Sequence, residues 1–188
     1  MIKWRYAALG AVLCLSFVTV LMAAALYADT GPAIRVEAPR RVRPGETFTA
    51  RVVLDCRSRT PVSALAATLA WSPAELEAVG EPQPGARIYS PDGAARGVFD
   101  VLLRQKVFAD KGALEFAVAG LNSPADITLE GKVVLMSQKF AVKGAKRGTS
   151  AISFVTDPSL SANGTMCLNM KGGVPFSIMT PATVVIEQ

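Results

Sequence analysis

The chain has 188 residues, 51% of them hydrophobic and 19% charged, with a formal net charge of +5 and no histidine. This composition excludes a disordered chain and, once an apolar N-terminal stretch is set aside, leaves about 160 residues, enough for one domain with its own core. Without histidine, Ser-His-Asp and Cys-His catalysis are excluded, and the basic residues are spread over strands and turns rather than clustered with aromatics, which argues against nucleic acid as a partner.

Lys3 and Arg5 precede Ala7 to Leu26, a run without charge that ends at Asp29-Thr30-Gly31-Pro32. A basic flank followed by an apolar run and small residues is the pattern of an export signal. Residues 1–28 are therefore read as a signal peptide, cut after Ala25 or Ala28, or as a retained hydrophobic helix, since about 20 apolar residues can span a bilayer. Both readings put residues 29–188 outside the cytoplasm, extracellular, periplasmic or anchored in the cell membrane. Cys14 follows Leu13, where a lipidation motif needs a small residue.

From Ile34 onward the pattern is that of β-strands. Ile34, Val36 and Ala38 alternate with Arg35 and Glu37, and Phe48, Ala50, Val52 and Leu54 alternate with Thr49, Arg51 and Asp55, Val53 being the exception. Such alternation predicts strands with one wet face. Cys56 to Pro61 reads as a polar loop. Leu65, Ala67, Leu69 and Trp71 share one face of the next strand, and Ala64, Ala66, Thr68 and Ala70 share the other. A row of small residues facing outward is either covered by a neighbour or a flat docking surface. Ser72-Pro73-Ala74-Glu75 reads as one helical turn with Ser72 as its cap.

Residues 81–97 are rich in proline and glycine and read as a loop. Strands are predicted over 98–108 and 113–119, paired through Ala109-Asp110-Lys111-Gly112, with a loop over 120–126. Further strands are predicted over 132–143, 149–156, 165–170, 174–179 and 183–186. Many short strands with Gly/Pro punctuation predict an all-β sandwich in a single domain.

Cys56 and Cys167 form a candidate disulfide pair if the domain is exported. No metal site is expected: a zinc site would lack histidine, and no Asp/Asn-rich calcium loop is present. Glu75, Glu77, Asp92, Asp100, Asp110, Glu115, Asp126 and Glu130 are scattered over strand ends and turns, so two-carboxylate catalysis is not expected either. Asn163-Gly164-Thr165 is a glycosylation sequon. Trp71 on a core face and Tyr89 in a loop make a weak carbohydrate platform.

Several segments resemble cohesin domains, bacterial extracellular modules that hold dockerin-bearing proteins. Pro44-Gly45-Glu46-Thr47-Phe48 resembles their PGDTV turn, and Leu69-Ala70-Trp71-Ser72-Pro73-Ala74-Glu75-Leu76 resembles their YSYDPNVLE segment. Leu135 to Gly144 resembles LATLTFKVKG, and Gly148 to Phe154 resembles GTSPISF. The resemblance implies a nine-stranded jelly-roll β-sandwich and a non-catalytic module that docks a protein partner. That partner would be a dockerin on a polysaccharide-degrading enzyme or another surface protein. Any calcium would sit on the dockerin rather than on this chain. It also implies a partner-binding surface at Ala64, Ala66, Thr68 and Ala70, with Gly120 and Asn122 nearby. Ser72 stands where the family has aspartate, and Ala64, Ala66 and Gly120 stand where cohesins carry polar or acidic contacts. Two other roles for the same fold remain open: a carbohydrate-binding module, and a structural protein of a surface assembly.

Overall fold

The computed structural model describes residues 31–89, 98–121, 127–143, 147–156 and 164–187. The N-terminal segment 1–28, Asn122 and Asn163 lie outside the described residues. In chain order the strands are β1 (Ala33–Glu37), β2 (Arg41–Val42), β3 (Thr47–Val62), β4 (Ala64–Ala70), β5 (Leu76–Pro84), β6 (Val101–Phe108) and β7 (Ala113–Ala119). There follow β8 (Ile127–Val142), β9 (Gly148–Phe154), β10 (Met166–Asn169), β11 (Gly172–Val174), β12 (Ile178–Thr180) and β13 (Ala182–Ile186). Among the described residues nine strands reach five residues or more, and the other four are shorter.

The strands form a two-sheet sandwich. One sheet runs β12-β1-β3-β8-β5. The other runs β11-β10-β4-β9-β13-β2 and continues from β4 to β7 and from β7 to β6. Inward residues of both sheets make one core. Ile34, Leu54, Leu65, Leu69, Leu76, Leu114, Leu135, Phe140 and Ile152 are all buried within it. At its centre Phe140 stacks on Phe48 with ring centroids 5.7 Å apart and meets Trp71 edge-on at 5.0 Å. Trp71 stays in this apolar site because its Nε1–H donates to the Leu76 carbonyl oxygen at 3.1 Å, leaving no orphaned donor.

The pairing of β3 with β8 is irregular at Val53. Register shifts between Val52 and Val53, so that Val52 faces Met136 and Val53 faces Val134. Leu135 is the extra residue of a β-bulge on β8, which lets the adjacent Leu135 and Met136 both join the core, while Val53 is buried on the face of β3 opposite Val52 and Leu54.

Three segments depart from the sequence reading. Residues 56–61 are not a loop: β3 continues to Val62, irregular only between Cys56 and Thr60, because Thr60 and Val62 remain paired with β8 and buried. Residues 76–84, read partly as loop, form β5. It is an edge strand, where Pro82 and Pro84 are tolerated because one side of the backbone has no ladder to complete. The stretch 174–179 divides between β11 and β12. Ser72 begins a single turn, with Glu75 and Leu76 N–H groups both donating to its carbonyl oxygen.

β6 and β7 pair as a hairpin through a 3-10 turn at Ala109–Lys111 that ends on Gly112 in the left-handed conformation, φ 59°. The Gly112 carbonyl accepts the Trp71 N–H at 2.8 Å. A Cβ here would collide with the Trp71 carbonyl oxygen and come within 2.8 Å of Pro73 Cδ. Gly112→Ala is therefore expected to cost about 1–2 kcal/mol from the left-handed backbone alone, with the collision added to it. A urea-denaturation midpoint equal to that of the unmodified chain would contradict this.

Candidate functional site

The outer face of the β10-β4-β7-β6 sheet is built from residues that alternate with the core. On β4, Leu65, Ala67 and Leu69 point in, so Ala64, Ala66, Thr68 and Ala70 point out. Register carries this face across the sheet. Ala64 pairs with Ala119 and Leu168, Ala66 with Ala117 and Met166, Thr68 with Glu115, and Ala70 with Ala113. On β6 the outward partners of Ala117, Glu115 and Ala113 are Arg104, Lys106 and Phe108. A shift between Leu102 and Arg104 leaves Leu103 unpaired in a bulge and 54% exposed.

Small side chains in the middle with larger ones on both sides make a depression of about 270 Å³. Ala64, Ala66 and Ala117 lie along its floor, and Leu103, Arg104, Met166 and Leu168 are among the residues that line it. Ala66 and Ala117 are only 7% and 8% exposed although they lie on the outer face. Arg104 holds one wall in place: its Nε donates to Glu115 Oε2 at 2.7 Å. Glu115 is the nearly buried partner and Arg104 the half-exposed one, so this charge-assisted bond orders the guanidinium beside the apolar floor. Lys106 and Lys111 follow along the same edge, their Nζ atoms 4.9 and 5.9 Å from the Phe108 ring centroid. The rim on the β6 side is therefore basic and the centre apolar.

The expected surface residues do not all join this depression. Ala64 and Ala66 form it. Thr68 is covered by the chain before β10, its Oγ1 donating to the Gly164 carbonyl and the Thr165 hydroxyl donating to its own carbonyl, both at 3.1 Å. Ala70 lies at the far end of β4, between Ala113 and Ser153. Gly120 ends β7 with its N–H on the Ser63 carbonyl oxygen, and a Cβ there would crowd Ile127 Cδ1 at 2.7 Å, on the side away from Ala119. Asn122 lies outside the described residues. Thus the Thr68 part of the alanine row is covered by a neighbouring segment, and its Ala64–Ala66 part lines the depression.

Ala117, Leu103, Met166 and Leu168 were missed by the sequence reading. Ala113, Ala117 and Ala119 repeat on β7 the small-residue row of β4, and that repetition was the available signal. The β6 wall depends on the bulge at Leu103, and the β10 wall meets β4 only through long-range pairing.

Cys56 and Cys167 are both buried and both free thiols. Among the described residues no group of three Cys, Asp or Glu side chains is placed to hold a metal ion, and no helix is long and apolar enough to cross a membrane.

Comparison with solved structures accounts for this arrangement of sheets. The sixth cohesin of scaffoldin B from Acetivibrio cellulolyticus, solved with a dockerin, superposes with a TM-score of 0.61 at 17% identity, over 84% of this chain and 100% of that one. The third ScaC cohesin of the same organism, in complex with the ScaB dockerin, gives 0.64 at 10% identity, over 84% and 99%. The OlpC cohesin of a cohesin–dockerin complex from Clostridium thermocellum gives 0.62 at 13%, over 82% and 94%. The fold is that of a cohesin module. No protein-family model matches the sequence, and comparison with curated proteins finds no match. At such identities the cohesin likeness rests on the course of the backbone.

Proposed function

We propose that this chain is an exported, non-catalytic docking module that holds a protein partner on the β10-β4-β7-β6 face, the partner being a dockerin-bearing protein such as a polysaccharide-degrading enzyme. The observation that carries this reading is the alanine-floored depression on the outer face of a cohesin sandwich. A depression of this size accepts one or two bulky apolar side chains, and an amphipathic helix presents such side chains at one-turn spacing. Leu103, at 54% exposed, supplies a further apolar contact beside it. The basic rim at Arg104, Lys106 and Lys111 favours a partner whose helix carries acidic residues beside its apolar anchors. Apolar anchors at the centre supply most of the affinity, and the rim supplies orientation and rate. Residues 1–28 supply export, and if retained they tether the bound partner to the cell membrane.

The test is titration of the full chain with dockerin modules from the source organism, by calorimetry, first with calcium and then with chelator. Saturable one-to-one binding that chelator abolishes is expected, since the calcium belongs to the dockerin. Absence of binding to every dockerin of that organism, alongside saturable binding of a polysaccharide, would replace this reading with carbohydrate recognition.

A further inference from the structure

The two thiols lie in the sandwich interior, and their placement is specific. Cys56 lies on β3, in one sheet, and points inward with 1% exposure. Cys167 lies on β10, in the other sheet, paired with the inward Leu65 and 2% exposed. Both belong to the one apolar core. Face-to-face sheets normally stand about 10 Å apart, but β3 and β10 come closer, with Cα atoms within 8 Å. The cause is the corner at Ser63, where the chain leaves β3 for the second sheet. Its N–H donates at 2.7 Å to the carbonyl of Leu168, the neighbour of Cys167.

We infer that Cys56 and Cys167 are joined in the mature protein by a disulfide that ties the two sheets together across the core. The bond forms by exchange with a disulfide-bearing oxidant, a protein dithiol oxidase or oxidised glutathione. One cysteine thiolate attacks a sulfur of the oxidant's disulfide and expels a thiolate. The second cysteine, as thiolate, attacks the mixed disulfide and expels the other. Two protons and two electrons leave the cysteine pair, and the oxidant ends as two thiols.

The environment of the thiols sets when this happens. Burial, and then the nearby Cys56, push the Cys167 thiol up to about 12, and burial pushes Cys56 up as well. Only the thiolate reacts, so in the folded reduced domain both groups are inert near neutral pH. The bond is therefore made during folding, before the core closes, and once made it is shielded from reductants. An oxidising compartment outside the cytoplasm provides that opportunity.

The experiment is to unfold and reduce the full chain, refold it with a glutathione redox couple, block remaining thiols, and map its peptides by mass spectrometry. A Cys56–Cys167 linked peptide is expected, with Cys14 blocked. A link closing a loop on the order of a hundred residues should raise the melting temperature of the oxidised chain by roughly 10 °C over the same chain refolded reduced. Cys56→Ser and Cys167→Ser should each melt like the reduced chain and be indifferent to reductant. If either serine variant fails to fold, the comparison of oxidised with reduced wild-type chain still decides. Both cysteines blocked after oxidative refolding, or either one linked to Cys14 or to a second chain, would overturn the inference.

Discussion

Ala66→Arg is expected to abolish partner binding while leaving the sandwich folded. Ala66 lies on the floor of the depression, flanked in register by Ala117 and Met166. Its side chain leaves the sheet on the outer face, so an arginine there grows into the docking space and not into the core. It removes the cavity that an apolar anchor would fill, and it places a second guanidinium beside Arg104, which lines the same depression. An apolar anchor would then meet a charge that cannot be desolvated without a partner, so binding energy at the centre of the contact is lost. A loss of at least about 100-fold in affinity, near 2.7 kcal/mol, is expected. Ala66→Leu, which fills the space without charge, should weaken binding less. Thr49→Arg, on the exposed face of the opposite sheet, should leave it unchanged. Titration of the three variants with a dockerin that binds the unmodified chain checks the pattern. Equal affinity of a well-folded Ala66→Arg would place the docking surface elsewhere.

The parts of this molecule that the sequence disclosed are those where one periodicity governs a strand from end to end. β1, the first half of β3, β4 and β7 each alternate between core and surface, and each was placed within a residue or two. β5 was obscured because Gly80, Glu81, Pro82 and Pro84 carry the composition of a turn. They form a strand only because β8 offers an edge, and edge formation depends on a partner about sixty residues away. Arg57, Ser58 and Arg59 obscured the end of β3 in the same way: they occupy the irregular stretch at which two pairing registers meet. The functional face was half legible. Its floor on β4 showed in the alternation of Leu65, Ala67 and Leu69 with the small residues between them. Its walls depend on the bulge that frees Leu103 and on the return of β10 to β4, neither of which has a local sequence signal. The same long-range pairing brings β10 within 8 Å of β3, so the spacing of Cys56 and Cys167 alone left open whether they meet.

Phe140→Ala is expected to cost the domain about 3–5 kcal/mol, a large share of the total stability of a domain this size. Phe140 has no solvent exposure and is the shared partner of Phe48 and Trp71. Truncation removes the transfer energy of a benzyl group and also leaves both aromatic contacts without their central ring, each worth about 0.5–1.5 kcal/mol beyond area. The site relaxes poorly. Phe48 is held by pairing between β3 and β8, and Trp71 by its bond to the Leu76 carbonyl and by the Gly112 carbonyl on its N–H. The Trp71 ring cannot move into the space without breaking its bond to the Leu76 carbonyl, so part of the cavity persists and its cost adds to the lost transfer energy. Phe140→Leu, which keeps most of the volume, should lose less than half as much. The Ala66 depression lies on the outer face, so a Phe140→Ala chain kept folded at low temperature should bind its partner with near-normal affinity. Denaturant midpoints of the two variants, paired with titration in the cold, separate the two roles. A Phe140→Ala midpoint within 1 kcal/mol of the unmodified chain would mean that the core closes around the missing ring, contrary to the rigidity that the two aromatic anchors impose.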